Sequence, residues 1–375
     1  MHVRSAAFAE AALVLALVAS PLLPACRSQE PIKVGFVAGL TGRHYDLGIS
    51  ARNGLQLAVA EVNAAGGIRG RPIEVLVRDD AQNPEVARRM VEELVAAGVV
   101  AIVGHATSAM AEATLPIADR AGILMLSPTV TSAAFKGRDD ALVMMNPPTS
   151  EATRVLAAHL ARDGRIRRVS VLQDLSNRSY AVAWSEGFRE AFEGNGGRIV
   201  RTVAFVSGEA PSFTAIVEEA LQVPTDAVMV IANSLDSATI CQQIRKASPS
   251  MPILGSEWGF TNDLVAHGGA SVEGALFVQK VDVADEAPAF ARFKRAYTER
   301  YNRPVDFAST LAYEAGQVLA EALRRDPTRA GVKRALLDAG TYRGLQGDIR
   351  LDQAGDVTRR HFVMTVREGR VVVVE

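Results

Sequence analysis

The side chains that could do chemistry in this chain stand where apolar runs stop. Gly104-His105-Ala106-Thr107-Ser108 closes one such run, and Ser108 opens the helical pattern behind it. A serine there reads as a helix N-cap, and the amides behind it form a ready site for a carboxylate; a cap without a ligand fits the segment equally well. Ser127-Pro128-Thr129-Val130-Thr131 follows the next run, so its hydroxyls and carbonyls face a sheet edge, either as a plain polar turn or as ligand contacts. Tyr180 comes after the run that ends near Asp174, and Asp236 begins a helical segment after residues 227–231. An aspartate in that place is first a cap and a partner for the helix dipole. Glu257, in Gly255-Ser256-Glu257-Trp258, stands just past another apolar strand. A lone glutamate there is usually solvated; beside an aromatic in a cleft it becomes a counter-ion for an ammonium group.

Catalytic signatures are missing. The chain has no Gly-x-Ser-x-Gly elbow, no phosphate loop ending in Gly-Lys-Ser/Thr, no His-Glu-x-x-His and no Cys-x-x-Cys. Its 6 histidines are scattered, none at metal-ligand spacing, so neither an enzyme nor a metal or cofactor site is expected. The net charge of −1, with only short arginine clusters such as residues 165–168, gives no sustained basic face for nucleic acid.

The elements that must position these residues alternate strictly. Strands at 32–38, 73–78, 99–104 and 124–127 are interleaved with helices at 50–64, 85–97 and 108–121. The stretch from Asn63 to Pro84 shows the punctuation well. Gly66-Gly67 stops a helix, Pro72 opens a strand, and Asn83-Pro84 starts the next helix. Residues 143–148 (VMMNPP) then read as a non-helical crossover, because Pro147 and Pro148 force an extended backbone. A second series follows: helix 150–162, strand 169–173, helix 181–193, strand 199–205, helix 213–221, strand 227–231, helix 236–247 and strand 253–255. Helices near 289–300, 309–324 and 332–338 and strands at 362–367 and 370–374 complete the chain. At 375 residues the chain suits two lobes, each an α/β layer with its own core and its ligands at the carboxyl ends of the strands.

The amino terminus reads as an address. A short basic segment, an apolar run at 6–18 and Leu23-Pro24-Ala25-Cys26 look like a bacterial lipoprotein signal, in which Cys26 is acylated and becomes the new terminus. An exported protein tethered to a membrane by lipid is therefore expected, with a signal at 1–25 and a tether at 26–31. Cys241 is then left alone as a buried small hydrophobe, and no intrachain disulfide can form.

From residue 32 to the C-terminus the chain resembles the leucine/isoleucine/valine-binding family of periplasmic solute receptors. The resemblance rests on IKVGFVAGLTG, GGIRG with DDA, IVGHATS, ILMLSPT and the GSE turn. It implies two Rossmann-like lobes with parallel sheets joined by a three-segment hinge, the type I periplasmic binding fold. Lobe one would take residues 32–147 and 282–352, and lobe two residues 148–281 and 353–375. It also implies a solute-binding component of an ABC importer, with permease subunits as partners and an amino acid or related amide as ligand. On that pattern the ligand carboxylate meets Ser108, and the ammonium meets Thr129, Thr131 and Glu257. Tyr180 and Asp236 close from lobe two, and Leu47, Ala106 and Trp258 form an altered pocket wall. Many relatives join the loops after strands two and three by a disulfide, at the positions that Gln82 and Thr107 occupy here. A ligand-binding sensor without transport is the alternative.

Overall fold

The computed structural model describes residues 30–375, apart from 44 and 210. The expected signal and the lipid-bearing Cys26 lie outside the described residues. Lobe one begins with β1 (Ile32–Ala38), α1 (Tyr45–Ala64), β2 (Ile73–Asp79), α2 (Pro84–Ala96), β3 (Ala101–Gly104), α3 (Ser108–Ala121), β4 (Leu124–Ser127) and β5 (Leu142–Met144). Lobe two follows with α4 (Thr149–Asp163), β6 (Arg168–Asp174), α5 (Arg178–Gly194), β7 (Arg198–Phe205), α6 (Phe213–Leu221) and β8 (Ala227–Ile231). It continues through α7 (Ser234–Ala247), β9 (Ile253–Gly255), α8 (Asn262–Gly268) and β10 (Leu276–Gln279). The chain then returns to lobe one for α9 (Pro288–Tyr301), α10 (Phe307–Arg325), α11 (Arg329–Ala339), β11 (Thr341–Gly344), β12 (Gly347–Leu351) and β13 (Val357–Thr358). It ends in β14 (Phe362–Arg367) and β15 (Arg370–Val373).

Local chemistry accounts for the element ends. Asn83 caps α2, its side-chain oxygen accepting from the amides of Glu85 and Val86, and Pro84 needs no donor in the first turn. Gly122 stops α3 in the left-handed conformation. Asp306 and Ser309 form a reciprocal capping box at the start of α10. The helices α1 and α10 cross closely because Gly54 has no side chain: a Cβ there would lie 2.1 Å from the Ser309 carbonyl oxygen.

Each lobe has a sheet whose parallel part runs in the same order. In lobe one it is β2-β1-β3-β4-β5; in lobe two it is β7-β6-β8-β9-β10, extended antiparallel by β14 and β15. The core strands are buried on both faces, as in β3, β4 and β8, which suits sheets covered by helices on either side. The strand order reverses between β1 and β3 in one lobe and between β6 and β8 in the other. Crevices at such switch points are where open α/β sheets bind ligands. Here both crevices face the junction of the lobes.

Three of the differences from expectation bear on how the lobes are divided. The segment 142–144 is a fifth strand of the lobe-one sheet, not merely crossover. β11, β12 and β13 form a small antiparallel sheet that the apolar pattern does not announce. β13 pairs with β12, and the Met144 amide bonds the Gly355 carbonyl at 3.0 Å, so the chain stays with lobe one past the expected boundary at 352. Among the described residues, no helix is long and apolar enough to cross a membrane.

Candidate functional site

The acids that follow β2 build the frame of lobe one. Asp79 accepts from the Leu40 and Ala81 amides, both at 2.8 Å, and from the Thr41 hydroxyl at 2.6 Å, which fixes the loop after β1. Burial works against the Asp79 charge, but these donors outweigh it and hold the carboxyl below its usual range. Asp80 is fully buried and bonds His105 Nδ1 at 2.7 Å, tying the loop after β2 to the loop after β3. Between the same loops, the Thr107 hydroxyl donates to Gln82 Oε1 at 3.0 Å. The two positions where the resemblance implies a disulfide are thus joined by a hydrogen bond.

On this frame stand Ser108 and Thr129. Ser108 is the first residue of α3, not its cap; Thr107 takes the cap position and spends its hydroxyl on Gln82. That frees the Ser108 oxygen to receive the amides of Thr131, at 3.4 Å, and Ser132, at 3.3 Å. Thr129 donates to the Ala106 carbonyl at 2.7 Å, which leaves its own lone pairs as acceptors. Ser127 likewise donates to the His105 carbonyl at 2.7 Å. The loops after β1, β2, β3 and β4 are therefore pinned by one another.

Lobe two brings a charge. Glu257 lies on a single 3-10 turn after β9 and is 2% exposed. Its Oε2 accepts from Trp184 Nε1 at 2.8 Å, and its Oε1 pairs with Lys280 Nζ at 3.1 Å. Burial pushes the carboxyl up, but the Lys280 charge, a backbone amide and Trp184 outweigh it, so Glu257 stays ionised. Tyr180, in the first turn of α5, lies edge-on to Trp258 with ring centroids 5.7 Å apart, and its hydroxyl oxygen is 3.4 Å from the Trp258 amide. Burial, then the negative Glu257, raise the Tyr180 pKa well above the ordinary value, so its phenol keeps its proton to donate.

These parts meet in one pocket between the lobes. Leu47, Ala106, Ser108 and Thr129 form its lobe-one wall, with Phe307 from the start of α10. Asn177, Tyr180, Glu257 and Trp258 form the facing wall. The lobes close so tightly that about 10 Å³ of cavity remains, within about 260 Å³ of crevice between side chains. A hollow of about 610 Å³ exists elsewhere, along Arg292, Glu321 and Arg343, but it belongs to one lobe and has no converging polar groups from the other. The small junction pocket is the better candidate because residues just past strand ends of both lobes converge on it.

The expected site residues are sorted by this geometry. Ser108, Thr129, Tyr180 and Glu257 line the pocket, as do Leu47, Ala106 and Trp258. Thr131 stands behind Ser108, its hydroxyl buried without a hydrogen-bond partner and its carbonyl taken by the Thr149 amide at 2.7 Å. Asp236 is not in the wall. It is held by Ser207 and by Asn233 Nδ2 at 2.8 Å, and it forms an ion pair across the cleft with Arg43 of lobe one. The Asp236 carboxylate is thus paired with a cation of this chain. Two wall residues, Asn177 and Phe307, escaped the sequence reading. Asn177 reaches across the cleft, its Oδ1 accepting from the Ala109 amide at 3.0 Å. Trp184 could have been found, since it lies four residues after Tyr180 and so shares its helix face.

Other bonds span the lobes at this level. Asp46 of α1 accepts from Ser234 at 2.5 Å and from Thr261 at 2.8 Å. The Ser132 hydroxyl donates to the Ser179 carbonyl at 2.9 Å.

Known proteins share this arrangement along nearly the whole chain. The Leu/Ile/Val-binding protein homolog 3 of Brucella melitensis is 24% identical over 349 residues, covering 92% of this chain and 94% of that protein. The Leu/Ile/Val-binding protein of Escherichia coli is 24% identical over 329 residues, covering 88% of each. Among solved structures, the branched-chain amino acid transporter substrate binding protein LivJ from Streptococcus pneumoniae, in complex with isoleucine, superimposes with a TM-score of 0.84. It is 27% identical, with 91% of this chain and 97% of that one covered. The leucine binding protein LivK from Thermotoga maritima gives a TM-score of 0.84 at 25% identity, covering 92% and 98%. The model of the periplasmic binding protein family matches residues 31–370. With two lobes of one strand order closing on a shared pocket, the chain belongs to the periplasmic binding protein family and has its type I fold.

Proposed function

We infer that this chain is the extracytoplasmic solute-binding component of an ABC importer and takes an amino acid, or a related amide, between its lobes. The observation that carries the reading is the pocket itself: Ser108 at the start of α3 faces Glu257 of the other lobe across one small crevice. A carboxylate suits the first half, where the dipole of α3 and the Ser108 hydroxyl favour negative charge. A polar amino-acid head group suits the second, where Glu257 is ionised, shared with Lys280 and sealed from water. Thr129 supplies a neutral hydroxyl group between the two, and Thr131 supports Ser108 from behind. Apolar walls from Leu47, Ala106, Trp258 and Phe307 leave the side-chain end of the ligand to be chosen by shape.

Ligand entry requires the lobes to part, because the closed pocket holds too little space for an amino acid. Docking on lobe one and closure of lobe two then exclude water, so the charge-assisted contacts form in a drier medium. Export and lipid attachment at Cys26 would keep such a receptor beside its permease. Isothermal titration with the twenty amino acids and their amides tests the reading. We expect one or a few ligands to bind and to raise the melting temperature, as any ligand of the folded state alone must. No binding by any of them sinks it. Uptake by the intact importer separates transport from the sensor alternative, which predicts binding without uptake.

A further inference from the structure

We propose that Lys280 sets the class of ligand: it neutralises Glu257, so the pocket binds an α-amino acid and the 2-oxo acid of the same side chain with similar affinity. The proposal rests on the reading of the pocket as an amino-acid site and extends the ligands that site accepts.

Lys280 follows β10 directly, where the chain leaves lobe two. Its side chain is 0% exposed, and its ammonium lies 3.1 Å from Glu257 Oε1, its one ion pair among the described residues. It is absent from the pocket wall, so it stands one side chain behind Glu257. A carboxylate that faced the cleft alone would be a buried, uncompensated charge, and taking up a ligand ammonium would relieve that cost. Here the relief is already supplied within the protein. The other Glu257 oxygen is occupied too, by Trp184 Nε1 at 2.8 Å.

A ligand ammonium arriving at Glu257 therefore completes no ion pair; it adds a second cation beside one that is already balanced. A ligand with a keto oxygen in place of the ammonium adds no charge there, and it meets a Glu257 carboxylate already balanced by Lys280 and facing the protonated phenol of Tyr180. The carboxylate end is the same in both ligands and meets Ser108 and α3 in the same way. Other groups near the pair do not restore a net negative charge. His361 lies close enough to feel both Lys280 and Glu257, and burial with the Lys280 charge keeps it neutral near pH 7; Arg154, also nearby, is a cation.

The test is titration of matched pairs: valine with 3-methyl-2-oxobutanoate, leucine with 4-methyl-2-oxopentanoate, and phenylalanine with phenylpyruvate. For the wild-type chain, the preferred pair should bind within about tenfold of each other. Lys280→Met should shift the ratio towards the amino acid by about a hundredfold, the effect of one charge roughly 6 Å away at an effective dielectric near 20. Glu257→Gln should shift it as far towards the 2-oxo acid, because Lys280 then faces the ligand unbalanced. Either single variant leaves one buried charge alone and can fail to fold. The double variant Glu257→Gln/Lys280→Met carries no charge there and should keep the wild-type ratio within about threefold. Lys280 is not the determinant if the wild type prefers the amino acid by more than a hundredfold, or if the double variant departs strongly from the wild-type ratio. If amino acids bind and their 2-oxo partners do not, this proposal fails while the amino-acid reading stands. If neither member of any pair binds, both fail together.

Discussion

Lobe one meets the pocket with neutral groups, each pinned by its own neighbours: Ser108 by the amides of Thr131 and Ser132, Thr129 by the Ala106 carbonyl. Lobe two meets it with a buried ion pair and two aromatic rings, carried on the short turn after β9, on the first turn of α5 and on the segment after β10. The hydroxyl half is preorganised, because its hydrogen bonds are made within one lobe and do not depend on closure. The charged half carries more energy per residue, since a buried charge is costly to leave alone. On the proposed reading, lobe one fixes where a ligand head group sits, and the balance of charge in lobe two sets how strongly an ammonium is preferred there.

The contrast predicts unequal costs. Glu257→Ala orphans Lys280, whose side chain is fully buried, which should cost about 3–5 kcal/mol of stability. That corresponds to a fall in melting temperature on the order of 10 °C for a chain of this size. In the same variant, affinity for a bound amino acid should drop by a hundredfold or more. Ser108→Ala removes one hydroxyl and two long hydrogen bonds, and should cost about 1 kcal/mol of stability with roughly a tenfold loss of affinity. Thermal denaturation and calorimetry of both variants check the ranking. A serine variant less stable than the glutamate variant would break the comparison.

The third crossover between the lobes sharpens it. His361, just before β14, has its pKa lowered from 6.5 to about 4, by burial first and then by the Lys280 charge. The unfolded chain binds this proton more readily than the folded one, so stability rises with pH through this interval. The contribution is complete above about pH 6.5 and is lost as pH falls towards about 4. It amounts to at most about 3 kcal/mol, and less where solvent reaches the ring. Melting curves at pH 7 and pH 4.5 should show a larger acid loss in the wild type than in His361→Phe. Equal losses in the two proteins would mean that the ring titrates normally.

The uneven construction also explains what could be read in advance. The bounds of α3, β4, α6, β8, β9 and β14 follow from apolar runs with clear punctuation, and the structure keeps them. Ser108, Thr129 and Glu257 were legible because each comes directly after a strand, where local order alone places it at the sheet edge. Asn177 and Phe307 reach the pocket through long-range packing, and nothing near them in sequence marks a cleft. Lys280 was illegible for a related reason: a lysine at the end of an apolar run normally turns outward, and only the position of Glu257 makes burial tolerable. Gln82 and Thr107 show a substitution of means. Their loops stay joined, but through a 3.0 Å hydrogen bond where the resemblance implies a covalent bridge. Asp236, expected at the ligand because it begins a helix just past a strand, is paired instead with Arg43, a partner far away in the chain that sequence order does not reveal.

That ion pair gives the smallest effect and the most direct view of closure. Arg43 is 48% exposed along its side chain, whereas Asp236 is fully buried and keeps Ser207 and Asn233 as partners if the arginine is lost. A half-exposed pair of this kind contributes about 0.2–1 kcal/mol. Because it joins the two lobes, its loss weakens the closed form more than either lobe. Arg43→Ala should therefore raise the dissociation constant of a bound amino acid about two- to fivefold, while the melting temperature without ligand moves by less than about 2 °C. The difference in affinity between the two proteins should also shrink in 1 M salt, where the screening length falls to about 3 Å. An affinity loss that salt leaves unchanged would show that Arg43 acts by shaping the loop after β1. In that case Asp46, with its neutral partners Ser234 and Thr261, would be the contact that holds the lobes together at the cleft mouth.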